Sequence, residues 1–298
     1  MSLSIALLPS SSLGDGLIHA VIANNLQRNG CRVRYFHDGM RQLADYIDRF
    51  TVEPVPDYDA VRDLLADTEV ILYDSTAPFT QRMPSEIAEW FAANGVCYGV
   101  THHLPVHRSI TPQALARRAE AGHEKRAASF ARLNVSLRQT GLGWPRKPVV
   151  RQLADRVAEL LQLEDKTYAN GLVVPRPHSA AAGRRVIIHP TSSSPAKNWP
   201  ADRFLELAAL IGSEGWEPVF TVSPAEQAEW QALVGSDIEL RVFAGLKELA
   251  AFYATAAAFV GNDSGAGHLA SSIGVPTVLI YKRWRRHPPW RHGWAPTR

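Results

Sequence analysis

Two cysteines and three methionines are few for 298 residues. Cys31 and Cys97 lie far apart with no partner motif, which excludes a disulfide framework and a Cys-based metal cluster. Both read as small buried hydrophobes in a reducing compartment. No run of about 18 or more uncharged apolar residues occurs, so no membrane-spanning helix is predicted. The longest candidate, LAAFYATAAAFV, is short and half alanine. MSLSIALLPSSS carries no basic leader, so IALLP is read as a first core strand and the chain as cytoplasmic. Nucleotide-binding fingerprints are missing as well. In SSSLGDGL, Gly14 and Gly16 are followed by LIHA, without the third glycine of GxGxxG, and no GK[ST] follows.

Acid is scarce in two stretches. Residues 101–151 hold ten Lys/Arg against two Glu, and the last seventeen residues, KRWRRHPPWRHGWAPTR, hold six Lys/Arg and no acid. Residues 38–89 reverse the balance, with twelve Asp/Glu against four Arg, so the net charge of +3 conceals a strong asymmetry. Basic patches interleaved with tryptophan suit nucleic acid, anionic lipid or phosphorylated glycans. Solvated helix faces would read the same way.

The apolar content of 46% makes the chain globular, and its length accommodates two domains. Strand and helix alternate: IALLP, a helix closing at Asn29-Gly30, RVRYF, a helix near 40–50, VILYD, PSEIAEWFAANG and VCYGV. Residues 112–163 read as mainly helical. VVPRPHSAAAGRR forms a linker, after which VIIHP, DRFLELAALIG, PVFTV, PAEQAEWQALV and LKELAAFYATA repeat the order. AAFV and TVLIY then flank GNDSGAGHLASSIG. Repeated β-α order calls for parallel sheets covered by helices. The expected organisation is an N-terminal Rossmann-like domain over 1–165, a linker over 166–183 and a C-terminal Rossmann-like domain over 184–298.

Three polar loops fall where a strand meets a helix. In SSSLGDGL, Asp15 lands on the first helical turn, where it also satisfies orphan N–H groups and the helix dipole. In HPTSSSPAKNWP, Thr191 to Ser194, backbone N–H groups and Lys197 form a phosphate cradle or a solvated serine-rich loop. In GNDSGAGHLA, Asp263 would repel phosphate and is suited to accept from sugar hydroxyls. Ser264 and the N–H groups of Gly265 and Ala266 face an anion, and His268 alone is a packed helix residue as readily as a catalyst.

Together these loops resemble glycosyltransferase family 9, which contains the bacterial lipopolysaccharide heptosyltransferases. The resemblance rests on Ser11, Ser12, Leu13, Gly14 and Asp15, on Lys197, Trp199 and Pro200, and on Asp263, Ser264, Gly265, His268, Leu269 and Ala270. It implies a GT-B fold, α/β, with two Rossmann-like domains of parallel strands facing a central cleft. It also implies an inverting, metal-independent transfer of a heptose from an ADP-sugar to a lipid-linked core glycan. No cofactor is involved, because the nucleotide-sugar is the substrate. Carried over, Asp15 is the base, and Thr191, Ser192 and Lys197 hold the diphosphate with Ser264, Gly265 and His268. Asp263 orients the donor sugar, and Glu226, matched with a one-residue gap, lies near the ribose. The partners implied are the donor and an anionic acceptor, not nucleic acid, with weak attachment to the inner face of the inner membrane. Family members usually continue after the last strand with a Gly-Pro-Thr turn and a crossing helix. Here TVLIY runs into KRWRR, so a different or shortened closing segment is expected. Rival readings are a GT-B enzyme using another nucleotide-sugar and a catalytically idle relative that binds a glycan or protein.

Overall fold

The computed structural model describes residues 3–74, 76–98, 148–161, 163–176, 183–281 and 294. They form two compact units, Met1–Gly171 and Leu172–Arg298.

The first unit is built on a parallel sheet of five strands: β1 (Ser4–Leu8), β2 (Arg32–Phe36), β3 (Thr51–Glu53), β4 (Val70–Asp74) and β5 (Gly95–Tyr98). Their order is β3-β2-β1-β4-β5. Alternation along a strand sends Ala6 and Leu8 of β1, with Ile71 and Tyr73 of β4, to one face. There they pack with Phe36, Val61, Leu65 and helix α2 (Ser85–Asn94) through Ile87 and Phe91. The opposite face receives helix α1 (Leu13–Arg28), which is buried without interruption from Gly16 to Leu26. Continuous burial needs cover on α1's far side. Helix α3 (Val149–Leu161) supplies part of it, and the chain 165–170 supplies the rest.

That second contact is polar and regular. Asn29 Nδ2 donates to the Asp165 carbonyl (2.6 Å) and its Oδ1 accepts from Asp165 N (3.0 Å). One turn earlier, Asn25 repeats the pair with Thr167 at 2.8 Å in both directions. Asn24 Nδ2 then donates to the Ala169 carbonyl (2.9 Å). Four helical residues rise about 6 Å, close to the roughly 6.6 Å span of two extended residues, so side-chain amides at i and i+4 of the helix can meet every second peptide of the segment beside it. The segment read from sequence as the start of a linker is thereby tied to the first unit.

The second unit repeats the design with β6 (Arg185–His189), β7 (Glu217–Val222), β8 (Glu239–Val242), β9 (Ala258–Asn262) and β10 (Thr277–Ile280) in the order β10-β9-β6-β7-β8, all parallel. Helices α4 (Ala201–Ser213), α5 (Gln227–Val234), α6 (Leu246–Tyr253) and α7 (Gly265–Ser272) connect them. Phe204, Ala208, Phe220, Trp230 and Val234 form one core around Ile188, Val222 and Val260. Gly261 allows β9 to approach β6, because a Cβ there would sit 2.5 Å from the His189 carbonyl oxygen.

The two sheets have the same topology. In each, the first strand has its second-strand neighbour on one side and the fourth on the other, the Rossmann arrangement. Ligands in such sheets bind outside the carboxyl ends of the two strands where the order reverses, here β1/β4 and β6/β9.

The structure departs from the sequence expectation in three places. Residues 40–50 do not form one helix. A single turn at Asp38–Arg41 and a 3₁₀ turn at Ala44–Tyr46 are followed by β3. β3 and β8 were not expected as strands. Both are short edge strands (TVE and ELRV) whose alternation spans too few residues to register. Cys31 is half-buried rather than enclosed, and burial, with Glu69 nearby, pushes its thiol pKa up. Residues 99–147, with nearly all of the basic stretch, and most of the terminal basic tail lie outside the described residues. Among the described residues no helix is long and apolar enough to cross a membrane.

Candidate functional site

Both switch points carry the residues singled out in the sequence. In the first unit, β1 ends at Leu8 and α1 begins after its N-cap, Ser12. The Ser12 hydroxyl accepts from Asp15 N (3.2 Å) and donates to Asp15 Oδ2 (2.8 Å), so the carboxylate is held at the third helical position. Asp15 is half-buried. Its placement serves the helix dipole and leaves a carboxylate at the sheet's carboxyl edge.

Around it stand groups that the sequence did not flag. His37 Nδ1 accepts from Met40 N (3.1 Å), so its Nε2–H donates to the Ser12 carbonyl (3.1 Å). This ring is neutral. Burial lowers its pKa, the Ser12 carbonyl works against that shift, and His19 lowers it further. Gly16 makes room for it, since a Cβ there would collide with the imidazole. Tyr35 donates to the Gly16 carbonyl (2.6 Å), and its phenol pKa is raised well above normal by burial and then by the carboxylates of Asp15 and Asp74. His19 sits one turn past Asp15, with Nε2 3.7 Å from Asp74 Oδ2, and both side chains are fully buried. Asp74, at the end of β4, takes Thr76 N (2.8 Å) and Oγ1 (2.9 Å) on its other oxygen. A cavity of about 680 Å³ in this unit, lined by Arg32, Arg34 and Arg49, includes none of these groups. Its Arg34 is already committed to Glu53 through two bonds.

In the second unit the loop after β6 and the turn after β9 meet. Asn262, fully buried at the end of β9, donates to the Pro190 carbonyl (2.6 Å) and accepts from Trp199 N (2.9 Å). It pins both ends of the loop 190–199. Within that loop Ser192 Oγ donates to Asn198 Oδ1 (2.7 Å), a short helical turn spans Pro195–Lys197, and Trp199 packs edge-on against Phe204. Lys197 Nζ, half exposed, lies 3.9 Å from Asp263 Oδ2, while Asp263 Oδ1 lies 4.0 Å from His268 Nε2. Ser264 caps α7 by accepting from Gly267 N (3.4 Å), which leaves the N–H groups of Gly265 and Ala266 at the helix N-terminus. His268 is buried, with its ring edge-on to Trp294.

Glu226 joins this cluster through its Oε2, which accepts from Ser223 N (2.9 Å), Ser223 Oγ (2.6 Å) and Thr191 Oγ1 (3.2 Å). Thr191, Ser192, Lys197, Glu226, Asp263, Ser264, Gly265 and His268 therefore lie on one rim of the second unit, and Asp15 lies on the rim of the first. Sequence reasoning gave Asn262 no role, although it stands in the quoted cluster. An asparagine ending an apolar strand was the available signal.

A cation, hydroxyls and a helix N-terminus at a Rossmann switch point are groups that can hold an anion. The family model described as glycosyltransferase family 9 (heptosyltransferase) matches residues 92–293, more than half of the chain. The chain belongs to glycosyltransferase family 9. Lipopolysaccharide heptosyltransferase 3 of Escherichia coli K12 is 27% identical over 103 residues, 32% of this chain and 30% of that protein, so the match spans less than a third of that curated relative. Among solved structures, the glycosyl transferase family 9 protein of Veillonella parvula DSM 2008 superposes over 100% of this chain and 86% of its own, with TM-score 0.66 and 19% identity. The Escherichia coli heptosyltransferase WaaC with ADP covers 98% of this chain and 92% of its own, with TM-score 0.66 and 17% identity. At such identities the likeness establishes the fold, which is GT-B, with two Rossmann-like α/β units.

Proposed function

We propose that this family 9 protein is an inverting, metal-independent glycosyltransferase that moves a heptose, or a similar sugar, from an ADP-sugar to an anionic, lipopolysaccharide-type acceptor. The observation that carries this reading is the rim of the second unit, where Asn262 holds the Lys197 loop against the capped N-terminus of α7. ADP is the nucleotide present in the similar WaaC structure.

In a single displacement the acceptor hydroxyl oxygen bonds to the anomeric carbon as the bond from that carbon to the diphosphate breaks. The hydroxyl proton goes to Asp15, and the electron pair leaves with ADP. The transition state resembles an oxocarbenium ion, with negative charge growing on the diphosphate. Lys197, the Ser192 region and the N–H groups of Gly265 and Ala266 stabilise that charge, and losing one such donor costs about 3–4 kcal/mol of barrier. Asp263, beside Lys197 and His268, accepts from the hydroxyls of the donor sugar in this reading. Asp15, fixed by Ser12, is the acid–base group. The basic segments would face anionic acceptor groups and attach the enzyme weakly to the cytoplasmic leaflet, where such acceptors reside.

A thermal-shift panel of ADP-, GDP- and UDP-sugars tests the reading. ADP and ADP-heptose should raise the melting temperature in the presence of EDTA as much as in its absence. No shift with any nucleotide would replace the enzyme by a glycan- or protein-binding relative, and a strict requirement for Mg²⁺ or Mn²⁺ would remove the metal-free mechanism.

A further inference from the structure

Beneath the rim of the second unit, five side chains from separate elements form a continuous polar chain through the core. Tyr253 Oη lies 2.9 Å from Thr221 Oγ1, Thr221 Oγ1 3.3 Å from His189 Nδ1, and His189 Nε2 3.4 Å from Thr191 Oγ1. Thr191 Oγ1 ends the chain 3.2 Å from Glu226 Oε2. Tyr253 and Thr221 are fully buried and Thr191 nearly so.

The carboxylate end sets every proton. An ionised carboxylate only accepts, so Thr191 donates to Glu226. The Thr191 oxygen must then accept from His189, which places the imidazole proton on Nε2. Burial lowers the His189 pKa to about 4, against the opposing pull of Glu226 and of the Thr221 backbone, so the ring is neutral near pH 7. Its Nδ1 accepts from Thr221, and Thr221 accepts from Tyr253, whose phenol pKa burial pushes well up. Each member donates to the next, from Tyr253 to Glu226.

This direction changes the assignment of Thr191. Its hydroxyl proton is spent on Glu226 and is not available to a phosphate oxygen. Among the described residues all three donors to Glu226 converge on Oε2, which leaves Oε1 to accept from a ligand. We propose that Thr191 is not a diphosphate donor but a positioning residue for Glu226, the last link of the Tyr253–Thr221–His189 chain, which orients Oε1 for the ribose contact that the family resemblance already implies for Glu226. The ligand part rests on the ADP reading above. The proton order of the chain does not.

Two measurements separate them. In ¹⁵N-histidine-labelled protein at pH 7, with the signal assigned by its loss in His189→Gln, long-range ¹H–¹⁵N spectra should show His189 protonated at Nε2. Thr191→Val should perturb that signal and Thr191→Ser should preserve it. A proton on Nδ1, which the Thr221 backbone would suit, overturns the chain whether or not any nucleotide binds. By calorimetry, Thr191→Val should weaken ADP about tenfold, roughly the loss of one net hydrogen bond to a charged group. It should leave 2′,3′-dideoxy-ADP unchanged, with Thr191→Ser restoring ADP. In a Glu226→Gln background, Thr191→Val should add little. Equal weakening of both nucleotides would make Thr191 a phosphate donor and overturn the proposal. An Nε2–H signal in a wild-type protein that binds no ADP would instead overturn the ADP reading and the ribose contact with it, while the chain stands.

Discussion

The two units share a strand order and differ in what they place at its reversal. At β1/β4 the first unit sets carboxylates and imidazoles: Asp15 on the rim, with His19, His37 and Asp74 enclosed behind it. At β6/β9 the second unit sets hydroxyls, a lysine and the Ser264-capped N-terminus of α7. Topology supplies the location in both cases, because parallel strands end at one edge and their helices begin there. The loop residues supply the chemistry. One rim is suited to taking a proton and the other to holding an anion. Each relies on a polar, uncharged support: buried His37 under the Ser12 turn, and buried Asn262 with part-buried His189 under the Lys197 loop.

The sharpest test of this division is Asp15→Asn. Transfer should fall by about 10²–10⁴-fold, the usual contribution of a positioned base, while ADP affinity holds. A matching loss of ADP binding, measured by calorimetry, would put Asp15 on the anion side and erase the contrast.

Core truncation asks whether the units are energetically equivalent. Phe91→Ala and Phe204→Ala, each removing a fully buried ring, should cost about 3–5 kcal/mol in denaturant unfolding. Only Phe204→Ala should also loosen nucleotide binding, since Trp199 packs on that ring.

Acid separates the supports. His189 has its pKa lowered to about 4 from an ordinary 6.5, so between those values the unfolded chain binds the proton and the folded one does not. Stability is therefore complete above about pH 6.5 and falls as the pH drops towards 4, by roughly 3 kcal/mol in all from this group. His189→Gln should flatten that part of the profile, and the remaining slope would include His37, whose pKa is also lowered. An unchanged slope would mean that His189 titrates normally.

The smallest expected effect is Asn262→Ala, about 1–3 kcal/mol for leaving Trp199 N and the Pro190 carbonyl unmatched. Nucleotide affinity should decline with it while Asp15 chemistry is untouched.

Much of the architecture was legible in the sequence because it is local. IALLP, VILYD and VIIHP are apolar runs, and DRFLELAALIG shows a helical stripe that buries Phe204 and Ala208. Motif spacing put Asp15 on the first turn of α1, and Lys197 and Asp263 in the segments after β6 and β9, where they stand. The edge strands β3 and β8 escaped because three or four residues carry no readable period. The asparagine ladder on α1 escaped because its partners lie about 140 residues away, outside any local pattern.

The sequence by itself determined the order of the central strands and longer helices, the two charge-opposed regions and the residue types available at each rim, since these follow from short-range periodicity and composition. Only the tertiary structure decided which protons those residues can spend. The direction of a hydrogen bond depends on every neighbour at once: Thr191 is a donor to Glu226 only because His189, Thr221 and Tyr253, each from a different element, arrive behind it.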